Sequence, residues 1–212
     1  MKVPTQIQIG SNRVVRFNLE NDSAPRGYIA ESIKILWRKY EPWASDAEIY
    51  QTISKKTGRV VDLVYDASGN VSGFYIFRVF RHKSWRVMFR GNSYSDDNVK
   101  GIGAPLFKLI LKQYEPDRIV TFTPQMRACA FLSYFGELVP SKRTRVTKCE
   151  LEILSQLAGP THHIDPDTLI VRDFYRESHD SQGNPVRDEK IKNMFSLLGK
   201  RDAYAIVLRC EH

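Results

Sequence analysis

Ser93–Pro105, SYSDDNVKGIGAP, joins a β-rich run to an amphipathic helical stretch through a glycine-rich turn. A turn of this kind at a helix start presents backbone N–H groups that lack intrahelical partners, together with the positive end of the helix dipole. Phosphate can bind there without side chains, and glycine lets its oxygens approach the backbone. Pro105 suits the first helical turn, where its missing N–H is not needed. Gly-x-Gly before a helix is also what an ordinary turn looks like, so the segment has to be read with its flanks.

Downstream, Gly103–Tyr114 (GAPLFKLILKQY) carries Leu106, Phe107, Ile110, Leu111 and Tyr114 on one side and predicts a helix ended by Pro116-Asp117. Arg118–Thr123 (RIVTFT) predicts a short buried strand, and Gln125–Phe135 a helix that stops at Gly136. Upstream, Arg59–Tyr65 and Val71–Phe80 are β-rich runs joined by Asp66-Ala-Ser-Gly-Asn70, a turn by composition. A turn at Arg81–Ser84 leads to a third strand, Trp85–Arg90, which can continue to Tyr94. Before this meander stand two helices. Ser23–Tyr40 begins Ser-Ala-Pro-Arg, with serine as cap and proline in the first turn, and repeats Ile29, Ile33, Leu36, Trp37 and Tyr40 at helical spacing. Ser45–Lys56 begins with Ser45 and Glu48 at capping-box spacing and ends before Gly58. Arg13–Phe17 is a short strand ahead of both.

Beyond Gly136 the expected elements are helices at Val146–Leu157 and Glu189–Leu198 and strands at Thr168–Tyr175 and Ala203–Arg209. The polar loop Glu177–Arg187 is the expected mobile segment. No linker composition separates this part, so residues 1–212 are expected to form one domain with an elaborated C-terminal part from about residue 137.

Composition narrows the partners. With 42% hydrophobic and 26% charged residues the chain reads as globular. No stretch approaches the about 18 apolar residues of a membrane span, and MKVPTQIQIGSNRVVRF lacks the apolar core of a signal peptide, so a cytoplasmic protein is expected. The net charge of +8 favours an anionic partner: a phosphorylated cofactor, an acidic carrier protein or nucleic acid. The basic residues are dispersed, apart from Arg78–Arg86 and Ser141–Lys148, and no nucleic-acid motif accompanies them. Cys129, Cys149 and Cys210 form neither a disulfide framework nor a zinc pattern. His162-His163 with Asp165 and Asp167 lacks helical zinc-pair spacing, so no metal is expected and a polar loop is read there.

Asn98-Val99-Lys100-Gly101-Ile102-Gly103 resembles the acyl-CoA loop of the GNAT (GCN5-related N-acetyltransferase) superfamily, Arg/Gln-x-x-Gly-x-Gly/Ala, and stands where that family has it, after a meander and before a helix. A second resemblance follows the next strand. Many members have Asn there, with Ala three, Tyr seven and Gly eleven residues later; this chain has Gln125, Ala128, Leu132 and Gly136. The two motifs and the element order cover roughly residues 23–138. The resemblance implies an α+β (α/β/α sandwich) fold with a mixed, mostly antiparallel twisted sheet and helices on both faces. It further implies that the strand ending near Tyr94 splays from Arg118–Thr123 to admit the pantetheine arm.

As activity, the resemblance implies direct transfer of an acetyl or longer acyl group from acetyl-CoA or another acyl-CoA to a primary amine on a small molecule or protein. Tyr94, Asn98, Val99, Lys100, Gly101, Ile102, Gly103, Ala104 and Gln125 would contact the cofactor. Leu132 occupies the position of the tyrosine that protonates the departing thiolate, and Tyr134, about 200° further round a helix, is the candidate replacement. Val71–Tyr94 contains no carboxylate, although members often place a glutamate there as base. The base is then Asp96, a residue of the C-terminal part, or no residue at all if the amine arrives neutral. Two other readings stand beside this one. The donor could be an acidic acyl carrier protein, as in acylhomoserine-lactone or N-acyl amino acid synthases; or the chain could be an inactive module that binds CoA or nucleic acid. A second copy of the chain is a further candidate partner.

Overall fold

A computed structural model describes residues 4–20, 24–54, 58–139, 144–175 and 189–210. Among them are nine mostly antiparallel strands and six α-helices, an α+β fold. The chain divides into two compact units, one of Met1–Phe80 and Met88–Glu115, the other of Arg81–Val87 and Pro116–His212.

In the first unit, β1 (Thr5–Ile9), β2 (Asn12–Asn18), β3 (Arg59–Tyr65) and β4 (Val71–His82) are successive antiparallel neighbours, and β5 (Trp85–Ser95) continues the order. The hairpin β1–β2 turns at Gly10, whose φ of +60° favours glycine. β3 is buried on both faces. Its alternate residues Val61, Leu63 and Tyr65 join Val15, Phe17, Phe74 and Ile76 in a core shared with two helices, α1 (Arg26–Tyr40) and α2 (Asp46–Ser54). Ile29, Ile33, Leu36 and Trp37 of α1 and Ile49 and Ile53 of α2 fill it. Each such side chain contributes about 1.5–3 kcal/mol by leaving water.

A charge lies on the opposite face of β3. Asp62 is paired in register with Arg16 of β2 and is fully buried. Arg16 donates from Nε to Oδ1 at 2.7 Å and from Nη2 to Oδ2 at 2.5 Å. Its third nitrogen donates to Gln113 of α3 (Gly103–Tyr114), and its guanidinium lies 5.6 Å from the Phe77 ring and 5.7 Å from the Tyr114 ring. Removing one partner of a buried pair of this kind costs about 3–5 kcal/mol, because the other charge is left without compensation.

The second unit is organised around β9 (Ala203–Arg209), buried along its length up to Arg209. It pairs antiparallel with β6 (Arg118–Thr123), with β7 (Glu137–Val139) and with β8 (Ile170–Val171). Its helices are α4 (Met126–Leu132), α5 (Lys148–Ala158) and α6 (Glu189–Phe195). Glu150 in the first turn of α5 is 1% exposed. It completes a capping box with Thr147 and takes Nε of Arg118 at 2.9 Å and Nε and Nη2 of Arg209 at 2.8 Å each. Arg118 and Arg209 are opposite in register on β6 and β9. The Trp85 ring covers the Arg118 guanidinium at 4.3 Å.

Several expected boundaries move. α1 starts at Arg26 with Pro25 in the capping position rather than in the first turn, and Ser23 lies outside the described residues. The turn between β4 and β5 shrinks to Lys83-Ser84, and β5 runs on to Ser95. α5 begins at Lys148 because Thr147 caps it. The strand expected at Thr168–Tyr175 reduces to Ile170–Val171, since Leu169 (φ +56°) and Asp173 (φ +50°) bend the backbone out of the extended region at both ends. α4 stops at Leu132 and α6 at Phe195, each three residues short of expectation. β1 and β7 were not foreseen. The loop Glu177–Arg187 lies outside the described residues. No helix among the described residues is long and apolar enough to cross a membrane.

The Glu150 cluster makes stability depend on acid. Burial pushes the Glu150 carboxyl up, but hydrogen bonds from Arg209 and Thr147, with the charge of Arg209, outweigh it and hold the group at about 2, against an ordinary 4.5. A depressed carboxylate gives its stabilisation above its unfolded value and loses it as pH falls from 4.5 towards about 2. The gap corresponds to roughly 3 kcal/mol. Glu150→Gln is expected to lower the unfolding free energy by about that much at pH 7. Denaturant titrations of both proteins from pH 7 to pH 2 check this: the difference should close through the acid window, and a pH-independent difference would contradict it.

Candidate functional site

β5 ends at Ser95, and the chain crosses to α3 through a short 3-10 turn, Asp97–Val99. Two apolar residues anchor the crossing, Val99 at 1% and Ile102 at 2% exposure, while Asn98, Lys100, Gly101, Ala104 and Pro105 are exposed. The backbone turns on itself: Val99 N–H donates to the Asp96 carbonyl at 3.1 Å, Lys100 N–H to Asp97 at 3.1 Å and Ile102 N–H to Val99 at 3.3 Å. Gly101 N–H takes no part in these bonds, and the N–H groups of Gly103 and Ala104, first in the helix, donate to no carbonyl among the described residues. Among the described residues three N–H groups are thus available beside the positive end of a 12-residue helix, with Lys100 next to them.

The two glycines differ. Gly101 has φ +86°, the left-handed region, and a Cβ placed there would meet nothing within 4 Å. Its side is open to a ligand, and its requirement for glycine is one of backbone conformation alone. Gly103 is a helical residue with no positive φ.

Asp96, read from the sequence as a candidate base, forms an ion pair with Lys39 near the end of α1. That pairing offsets the negative charge it would otherwise bring towards a phosphate. Tyr94 faces α1 as well: its ring stacks on Tyr40 with centroids 4.9 Å apart, and its hydroxyl donates to Glu41. Gln125 and Tyr134 belong to the second unit. Gln125 is the exposed N-cap of α4, and Tyr134 lies just beyond that helix, 85% exposed rather than packed in a core. His162 gives its Nδ1 to the Ala158 carbonyl at 2.9 Å and lies against Phe174, while Asp165 accepts the N–H groups of Asp167 and Thr168. That segment is a hydrogen-bonded turn.

A carboxylate from a helix end meets the last part of β5. Glu41, the C-cap of α1, takes Trp37 Nε1 on Oε2 at 2.9 Å, and Asn92 Nδ2 at 3.3 Å and the Tyr94 hydroxyl on Oε1. A carboxylate has about four acceptor sites, so a further donor can still bind it. Tyr40 donates to the Ser95 carbonyl at 2.8 Å and closes the same corner. Glu41-Pro42 marks this helix end in the sequence, since proline cannot continue a helix and disfavours helical backbone at the residue before it.

No protein-family model and no curated protein matches the chain. Solved structures similar to it include GCN5 of Tetrahymena, 12% identical over 92% of this chain and 96% of that one, with TM-score 0.47. A ribosomal-protein-alanine N-acetyltransferase of Brucella melitensis biovar Abortus 2308 is 14% identical over 52% and 78%, with TM-score 0.40. A GNAT-family acetyltransferase of Staphylococcus aureus Mu50 is 15% identical over 65% and 86%, with TM-score 0.45.

The difference between the two glycines has a measurable sign. Gly101→Ala forces a Cβ into the left-handed region and is expected to cost about 1–2 kcal/mol. Gly103→Ala adds a better helix former at a helical position and is expected to be neutral or to stabilise by up to about 1 kcal/mol. Thermal unfolding of the two variants beside the parent checks this, and equal shifts would contradict it.

Proposed function

We propose that the chain is an N-acyltransferase that moves an acetyl or longer acyl group from acyl-CoA to a primary amine, and that its first unit carries the chemistry. The observation that supports this most directly is the loop between Asp96 and Ala104, with N–H groups at Gly101, Gly103 and Ala104 that have no backbone partner among the described residues and open space beside Gly101. A diphosphate fits such a cradle through its oxygens, and Lys100 adds one positive charge. The overall charge of +8 favours arrival of a polyanion. Bound acyl-CoA supplies an electrophilic thioester carbonyl carbon and a sulfur leaving group.

In this proposal Glu41, rather than Asp96, serves the acceptor. Its fourth acceptor position would receive the ammonium of the incoming amine and orient the nitrogen towards the carbonyl carbon. The ammonium gives up one proton to Glu41 or to water, the freed lone pair forms the C–N bond, the C–S bond breaks with the electron pair leaving on sulfur, and the second proton lost from nitrogen passes to that sulfur or to water. Lys39 keeps Asp96 from competing for the ammonium. The aromatic pair Tyr40 and Tyr94 fixes the corner in which Glu41 acts.

Two measurements test this reading. Calorimetric titration of CoA is expected to show binding to the parent and none to a folded Gly101→Val, Gly103→Val double variant. Lys100→Ala should lose only about 1 kcal/mol, the scale of a partly solvated charge-assisted hydrogen bond. Release of free thiol from acetyl-CoA in the presence of a panel of amines measures turnover. Glu41→Gln is expected to lower kcat/KM for the amine by about tenfold or more while leaving CoA affinity intact. Unchanged CoA binding by the double variant, or unchanged kcat/KM in Glu41→Gln, would overturn the corresponding half of the proposal.

A further inference from the structure

The tight turn at Lys83-Ser84, where Lys83 takes φ +55°, places His82 at the end of β4. In the same compact unit, α5 begins at Lys148, so Cys149 and Glu152 stand three residues apart on one helix face. A ring nitrogen of His82, the sulfur of Cys149 and a carboxylate oxygen of Glu152 all lie within 4.8 Å of one another. His82 Nε2 is buried and makes no hydrogen bond among the described residues. Glu152 Oε2 lies 3.7 Å from it, an ion-pair contact longer than a hydrogen bond. A buried ring nitrogen left in this state is costly, and the group is short of a partner at its centre.

Imidazole nitrogen, thiolate sulfur and carboxylate oxygen form a donor set for zinc, with bonds of about 2.0–2.3 Å in a tetrahedron. Those lengths put ligand atoms about 3.5 Å apart, so His82 and Glu152 already stand near the required separation. Cys149 and Glu152 are on a partly exposed helix surface, where side-chain rotation can close the remainder. We propose that His82, Cys149 and Glu152 hold one thiophilic divalent cation, zinc by its donor set, with water in the fourth position. His82 is remote in sequence from α5, and Cys149 with Glu152 alone is an ordinary pair on a helix surface, so no local spacing marks the site.

One group opposes the cation. Lys83 forms an ion pair with Glu152 and lies close enough to interact with Cys149 as well. Its side chain is 59% exposed, so an incoming divalent ion can displace it into solvent. Lys148 adds weaker repulsion. Binding therefore releases the Cys149 proton, frees Lys83 and ties the β4–β5 turn to α5. Removing Lys83 should consequently strengthen the site, the reverse of what removal of a merely structural ion pair would do.

The test uses the full chain after dialysis against a chelator. Cobalt(II) is titrated in, with the thiolate-to-cobalt charge-transfer absorption as readout, and zinc affinity is measured by competition with a chromophoric chelator. The parent is expected to bind one ion with the charge-transfer band. Cys149→Ser should abolish the band while Cys210→Ser keeps it. His82→Ala should weaken zinc by at least about tenfold, the scale on which even outer-shell partners act. Lys83→Ala should tighten zinc several-fold, and this gain of function needs no variant that weakens the fold. Circular dichroism confirms that each variant is folded. Absence of the band in the parent at excess cobalt, its persistence in Cys149→Ser, or unchanged or weaker zinc binding in Lys83→Ala would each overturn the proposal.

Discussion

The guanidinium of Arg16 meets four groups at once: the carboxylate of Asp62, the amide of Gln113, and the rings of Phe77 and Tyr114. Taking this charge out of water is unfavourable unless its donors are matched, and the bidentate bond to Asp62 together with Gln113 matches them. The consequence reaches beyond the pair. Gln113 and Tyr114 are the last residues of α3, so the ion pair fixes the end of that helix against β2 and β3. Because a helix is stiff, fixing its last turn also sets where its first turn points, and the first turn carries Gly103 and Ala104. The open loop is a property of one end of a rod whose other end is bolted.

Where the chain signals its turns with strong local chemistry, the fold was legible. α3, β3, β6 and β9 fall on the residues that periodicity and punctuation indicate, and α2 begins on the Ser45–Glu48 capping box, with Glu48 N–H donating to Ser45 Oγ at 3.2 Å. The misses share a cause. β1 buries none of its five residues fully, and β7 is three residues long, so neither writes a period into the sequence. The break of the expected 168–175 strand rests on φ > 0 at Leu169 and Asp173; for leucine no propensity announces this.

The candidate site was legible to the same extent. Glycine and a helix start identify a place where backbone can bind an anion, because the signal is local. A carboxylate delivered across space is not local. Glu41, the acid of the proposed function, stands outside the strands where the family pattern places one: it comes from a helix end and is held by Trp37, Asn92 and Tyr94. His82, Cys149 and Glu152 illustrate the same limit, since only folding brings the turn and α5 together.

β9 has a consequence for how the protein comes into being. It is the last described element, and β6, β7 and β8 all take it as their hydrogen-bonding neighbour. Until residue 209 has left the ribosome, those three earlier strands present unpaired backbone edges, and Glu150 lacks Arg209. The first unit, by contrast, has its two helices, its meander and α3 in hand by residue 115. Synthesis from the N-terminus therefore favours a growing chain whose first half is already ordered while the second waits with open edges. During that interval, chaperone capture and aggregation compete with closure, and a strand of seven residues ends the competition.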